Sequence, residues 1–378
     1  MKRFNFIFSL CLFLSNILFA LTNENTAGKV PFLKKDHYIL VKAKINDSPH
    51  DYNFIIDTGG LTFIDKAVVE ELNLKQRGFM AKITTLNMSG YQIENIFCFT
   101  TFDFNIFRGA GIPIHGIIGS NLMERFKVTF DFQDCFVIFS NDTTPLSPPD
   151  NGLYFTFRNH PINYAPIIKF KVNQQTREGM IDTGQPYPVV IPFADLEEFQ
   201  KINDGDYIRS QGLMIKWPQT TPEYNYLTRL QSCEFSNLKI NNMICIFGEI
   251  PPLLSMPLIG TDFLFQFKMI INYPEDEMIL IPIPDDHFED NQFSWGLNLN
   301  VSKENKIYVE GIWEDSPADK ADIQVGDQVL TFNSIQAAPE NLMDLIGMLK
   351  NDSVDSILLE IKNQDGIRKL NLHKVLLF

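Results

Sequence analysis

Two stretches 125 residues apart limit what this chain can fold into. Phe54-Ile55-Ile56-Asp57-Thr58-Gly59-Gly60 and Gly179-Met180-Ile181-Asp182-Thr183-Gly184-Gln185 both end an apolar run in Asp-Thr-Gly. Alone, such a tripeptide is an ordinary turn. Here each copy sits inside a longer repeated text. Lys42-Ala43-Lys44-Ile45-Asn46 precedes the first, and Lys169-Phe170-Lys171-Val172-Asn173 precedes the second. Residues 93–99 match 240–246, and Ile117-Ile118-Gly119-Ser120-Asn121-Leu122 matches Leu258-Ile259-Gly260-Thr261-Asp262-Phe263. Four matched blocks in one order mean a duplicated unit. Two copies predict a pseudo-twofold pair in which Asp57 and Asp182 meet across a cleft and share a proton.

The local chemistry sets the elements. Residues 38–45 alternate and predict a strand. Asn46-Asp47-Ser48-Pro49 is turn chemistry, and 52–56 predict the strand that delivers Asp57 into a glycine-rich bend. A helix is expected over 65–74 with Asp65 as its N-cap, and its counterpart over 193–202. Residues 83–91, turning at Ser89-Gly90, are expected as a flap over the first aspartate, with Tyr91 as a candidate flap tyrosine. Residues 206–224 are expected as the second flap. The Pro- and Ser-rich run 144–151 predicts an exposed linker.

Composition narrows the class. The chain is 45% hydrophobic and 12% aromatic, with 33 Phe against 3 Trp, which favours sheets. A net charge of −14 argues against nucleic acid as a partner. Lys2 and Arg3 precede an apolar run over 4–19 that ends Leu18-Phe19-Ala20. That pattern predicts a signal peptide at 1–20, or an uncleaved anchor, and export to the periplasm, the cell surface or the medium. Residues 21–36 are expected as a loose leader. Cys98, Cys135, Cys233 and Cys245 allow three disulfide pairings, with free buried thiols the favoured state for Cys98 and Cys245. No metal-ligand spacing is present, and no cofactor is expected.

On the paired motifs, residues 37–143 and 152–284 resemble the two lobes of pepsin/retropepsin-like aspartic proteases. The Asp-to-Gly spacings of 62 and 78 residues look closer to the short retropepsin-like lobes. The resemblance implies a mainly β acid-protease fold with Asp57 and Asp182 catalytic. It implies dyad-loop support from Thr58, Gly59, Thr183 and Gly184, and bracing strands at Ile118, Gly119, Ile259 and Gly260. Two carboxylates about 3 Å apart cannot both ionise cheaply, so one keeps a proton while the other activates water. Gly60 and Gln185 depart from the family pattern, which has Ser, Thr or Ala there.

Asp315-Ser316-Pro317-Ala318 through Gly326-Asp327-Gln328-Val329-Leu330 is similar to the centre of a bacterial PDZ domain, which would span 291–378. That likeness implies a peptide-binding loop and strand at Gly296, Leu297, Asn298 and Leu299, with the helix around 342–349 lining the groove. The expected activity is endopeptidase hydrolysis of a peptide or protein, with a C-terminal peptide as a possible ligand. One chain suffices to build the dyad. The rival expectation is an inactive, protease-like peptide-binding adaptor.

Overall fold

The computed structural model describes residues 27–35, 37–104, 107, 112–203, 205–215, 223–251, 254–284, 293–351 and 353–377. The expected signal peptide and the first residues of the leader lie outside these. So do residues 285–292. The described chain is mainly β. Among the described residues no helix is long and apolar enough to cross a membrane.

The first repeat contains β1 (Gly28–Pro31), β2 (Leu33–Lys35), β3 (Tyr38–Ile45), β4 (Tyr52–Asp57), β5 (Phe63–Ile64), α1 (Lys66–Glu71), β6 (Lys75–Arg77), β7 (Met80–Met88), β8 (Tyr91–Phe99), β9 (Gly116–Gly119), α2 (Ser120–Met123), β10 (Lys127–Asp131) and β11 (Phe136–Ser140). The second contains β12 (Leu153–Thr156), β13 (Arg158–Asn159), β14 (Pro166–Val172), β15 (Gln175–Ile181), β16 (Val189–Pro192), α3 (Leu196–Ile202), β17 (Tyr207–Gly212), β18 (Tyr226–Phe235), β19 (Leu238–Gly248), β20 (Leu258–Ile259), α4 (Thr261–Leu264), β21 (Phe267–Asn272) and β22 (Glu277–Pro282). The strand and helix expectations around both motifs hold. Asp65 caps α1 by accepting from the Ala67 N–H at 3.0 Å.

Sheet order carries the duplication into three dimensions. The first repeat reads β2-β3-β4-β9-β5-β8-β7-β6, and the second reads β13-β14-β15-β20-β16-β19-β18-β17, element for element. In both, an extra pairing, β3 with β7 and β14 with β18, folds the sheet back on itself. A separate six-stranded sheet, β1-β11-β10-β21-β22-β12, joins the copies, with β10 and β21 antiparallel at its centre. One apolar core runs through both repeats and includes Ile56, Ile118, Phe130, Ile181, Ile259 and Met269.

Two expectations fail here. The leader is not loose at its end: β1 pairs with β11, β2 pairs with β3, and Val30 and Phe32 are buried. Two apolar side chains on alternate positions are enough to seat that short segment on a sheet edge. The Ser89-Gly90 hairpin is not a flap. Ile45 pairs with Leu86 and Leu40 with Ile55, so the turn lies at the end of β3 away from Asp57. Tyr91 stacks on Phe139 at 6.0 Å instead. The hairpin at the aspartate end is β6–β7, turning at Gly78 and the exposed Phe79. Its counterpart is β17–β18; the tip of the expected second flap, 216–222, lies outside the described residues.

The C-terminal unit contains β23 (Phe293–Ser294), β24 (Leu297–Val301), β25 (Ile307–Trp313), α5 (Pro317–Lys320), β26 (Gln328–Phe332), β27 (Ile335–Gln336), α6 (Leu342–Lys350), β28 (Ser356–Asn363), β29 (Gly366–His373) and β30 (Val375–Leu376). It has its own core around Trp295, Val309 and Phe332. Its sheet is continuous with the second repeat, because β17 pairs antiparallel with β25 through Ser210–Trp313, Gln211–Ile312 and Gly212–Gly311.

Candidate active site

Each aspartate stands at the end of a central strand beside a bracing strand. β4 runs parallel to β9, with Ile56 beside Ile118 and Asp57 beside Gly119. β15 runs parallel to β20, with Ile181 beside Ile259. The glycines are there because nothing else fits. A Cβ on Gly119 would lie 2.4 Å from the Gly60 carbonyl, and one on Gly260 would lie 2.5 Å from that of Gln185. The expected bracing residues are therefore brought to the dyad loops.

The loops interlock with near symmetry. The Thr58 N–H donates to Thr183 Oγ1 at 3.0 Å, and the Thr183 N–H donates to Thr58 Oγ1 at 3.0 Å. Each hydroxyl then donates across the junction, Thr58 to the Ile181 carbonyl at 2.8 Å and Thr183 to the Ile56 carbonyl at 3.1 Å. Both threonines are fully buried. The Gly59 N–H donates to Asp57 Oδ1 at 2.8 Å, and the Gly184 N–H to Asp182 Oδ1 at 2.9 Å. A Cβ on Gly59 would stand 2.3 Å from Asp182 Cγ, and one on Gly184 would stand 2.7 Å from Asp57 Cγ. Each glycine thus floors the opposite carboxyl.

The two carboxyls are hydrogen-bonded to each other and titrate as a pair. Burial pushes both above the usual carboxylate range. Asp57 is pulled back by the hydrogen bond from Asp182, by the Gly59 and Gly60 N–H groups and by nearby His37. Asp182, 8% exposed, is driven well up by burial and then by the Asp57 charge. Both carboxyls are therefore held above the ordinary range, and the proton belongs to the pair.

Sequence reasoning missed several supports. Asn163 Nδ2 donates to the Gly59 carbonyl at 2.5 Å, from the second repeat into the first loop. Ser120 Oγ donates to the Thr58 carbonyl at 2.7 Å and lies 2.8 Å from the Tyr273 hydroxyl. No local pattern announces these side chains, which arrive through tertiary contacts alone. Gln185 is buried and its Oε1 accepts from the Tyr187 N–H at 3.4 Å, while its Nε2 has no hydrogen-bond partner.

Comparison with known proteins adds little to this geometry. No family model matches the chain. No curated protein matches it either. Among solved structures it is similar to the crystal structure of basic 7S globulin from soybean, at 8% identity and a TM-score of 0.41, over 68% of this chain and 95% of that one. A likeness at that level carries no argument. The assignment to pepsin/retropepsin-like aspartic proteases with a C-terminal PDZ domain is corrected accordingly. No family or sequence relative supports it. Short motifs such as Asp-Thr-Gly fix local backbone geometry, and they do not by themselves establish descent.

The remaining expected residues lie apart from the dyad. Gly296, Leu297, Asn298 and Leu299 form the entry and first half of β24 in the C-terminal unit. Gly296 has φ +80°, and a Cβ there would meet Ser316 Oγ at 2.1 Å. Its N–H already donates to Ser294 Oγ at 2.9 Å, and Asn298 Nδ2 donates to the Leu213 carbonyl at 2.8 Å. Cys98, Cys135, Cys233 and Cys245 are free thiols. Among the described residues no group of three or more His, Cys, Asp or Glu side chains is placed to hold a metal ion.

Proposed function

We propose that the chain is an aspartic-type endopeptidase in which Asp57 and Asp182 together activate a water for direct attack on a peptide bond. The observation that carries this is the pair of hydrogen-bonded carboxyls, each floored by the glycine of the opposite loop and locked by the Thr58–Thr183 exchange. The charged member takes a proton from water, and the protonated member donates to the scissile carbonyl. No covalent intermediate and no cofactor enters this scheme. In this reading the two repeats are lobes related by a pseudo-twofold axis through the dyad, and the C-terminal β/α unit is an accessory peptide-binding or regulatory element. The substrate is an extended peptide or protein met after export, and one chain is sufficient.

The test is cleavage of a randomised peptide library from about pH 3 to about pH 7 by the wild type, Asp57→Asn and Asp182→Asn. Activity present in the wild type and lost in both variants is the expected result. Activity surviving either substitution removes the dyad mechanism. A second reading is an inactive peptide-binding adaptor. It is favoured by β24, which pairs only with β25 among the described strands and leaves its other edge beside α6. It predicts peptide binding at that edge with no turnover at any pH.

A further inference from the structure

Side chains alternate along a strand, so Ile55 and Asp57 share one face of β4; in the second repeat Met180 lies near the end of β15 and Asp182 directly follows that strand. Each face carries an apolar cluster separate from the main core. On the Asp57 side it contains Leu40, Ile55, Phe107, Ile114 and Ile117. Its rings form a continuous wall: Tyr38 to Phe107 at 5.5 Å, Phe107 to Phe102 at 5.7 Å and Phe102 to Phe63 at 5.1 Å.

The C-terminal unit reaches into both faces. It is anchored on the second repeat by the β17–β25 ladder and by Trp313, which is 3% exposed and packs in the cluster with Met180 and Leu258. From that anchor α6 extends to the first repeat. Met343, in its first turn, packs against the Asp57-side cluster, and its neighbour Asp344 pairs with Lys35 of β2. The ion pair is exposed on the Asp344 side and adds little. The apolar contact is the informative one. Met343 is only partly buried, and a thioether adapts its shape to what lies beside it.

Resting on the hydrolytic reading above, we propose that Met343 is a specificity-determining residue. It completes, from the C-terminal unit, the aromatic wall that receives a large apolar substrate side chain on the Asp57 side of the cleft. Substrate choice is then built partly outside the two repeats. A pocket of aromatic rings and one methionine accepts Phe or Leu and gains little from Ala or Ser.

The experiment uses the full chain and two non-cleavable hydroxyethylene peptides, alike except for Phe or Ala at the position facing this wall. Binding is measured by calorimetry, with circular dichroism to check the fold, for wild type, Met343→Leu, Met343→Ala and Met343→Asp. The wild type and Met343→Leu should prefer the Phe ligand by about tenfold or more. Met343→Asp should lose that preference while still binding the Ala ligand, and Met343→Ala should fall between. Tight binding with an unchanged Phe preference in Met343→Ala and Met343→Asp overturns the role of Met343 and leaves the dyad reading intact. Failure of the wild type to bind either ligand, with no dyad-dependent cleavage, overturns the hydrolytic reading and this inference with it.

Discussion

Thr58 and Thr183 hold each other by exchange, each N–H donating to the other's hydroxyl at 3.0 Å across the junction between the repeats. Neither residue touches the reaction in this arrangement. Together they set the distance between the strands that end in Asp57 and Asp182.

Thr58→Val keeps the shape and removes the hydroxyl. The Thr183 N–H then loses its acceptor and the Ile181 carbonyl loses its donor. Each orphaned buried group should cost about 1–3 kcal/mol. A fall in the denaturant midpoint and loss of hydrolysis are expected, with Thr58→Ser close to wild type on both. An unchanged midpoint in Thr58→Val would show that the exchange contributes nothing to stability.

Activity should follow a bell in pH. It rises as the pair gives up its first proton and falls as it gives up the second. Because burial raises both carboxyls, both limbs should lie above the range of an isolated aspartate. A pH profile of kcat/KM reads the two limbs directly.

The same shift bears on stability, with a definite sign. Asp182 binds its proton more tightly folded than unfolded, so its contribution is fully present below the unfolded pKa, about 3.9. That contribution is lost as pH rises through the folded value. Asp182→Asn should therefore unfold at a higher temperature than wild type near neutrality, with the gap closing towards acid pH. Melting curves across that range test it, and a gap that widens on acidification contradicts a raised Asp182 pKa.

Glycine is required next to Asp57 in both loops, at Gly184 and at Gly60. Gly184→Ala places a Cβ 2.7 Å from Asp57 Cγ, and Gly60→Ser places one 2.6 Å from Asp57 Oδ2. Introducing a hydroxyl after the first Asp-Thr-Gly should therefore harm this protein. A displacement of about 1 Å at reacting groups can cost about 100-fold in rate, and each variant should lose activity on that scale. Steady-state kinetics on a cleaved library peptide gives the number.

Thiol chemistry should discriminate among the cysteines. Burial pushes the Cys98 and Cys233 thiols up to about 12 and that of Cys245 well up, while Cys135 is partly exposed. Among these four, iodoacetamide should alkylate Cys135 first in the folded protein, as read by peptide mass mapping, and hydrolysis should persist. Rapid labelling of Cys98 in the native state would contradict the packing around β8.

Both Asp-Thr-Gly loops, their bracing strands and the helix capped by Asp65 were legible because local patterns encode them. Alternation along 38–45 marks β3, and the repeat marks every counterpart. The flap was misplaced because turn chemistry at Ser89-Gly90 reveals a hairpin and not which end of the sheet it occupies. Register decides that, through Ile45 against Leu86. Asn163, Tyr273 and Met343 were invisible for a related reason. Each acts on a partner far along the chain, and an isolated Asn, Tyr or Met has no local signature of such a role.

β6 and β17 occupy the same place in the two sheets, and they end differently. β6 is three residues long, fully exposed, and carries Lys75 and Arg77, so it discourages further pairing by itself. β17 is six residues long, and its Ser210, Gln211 and Gly212 are taken up by β25. A fragment ending before residue 291 would present that backbone edge bare, next to the apolar seat vacated by Trp313. Self-association is the physical fate of such a surface. The last segment of the chain is therefore a solubility element as well, and the dyad-bearing repeats are not a unit that can be expressed cleanly without it.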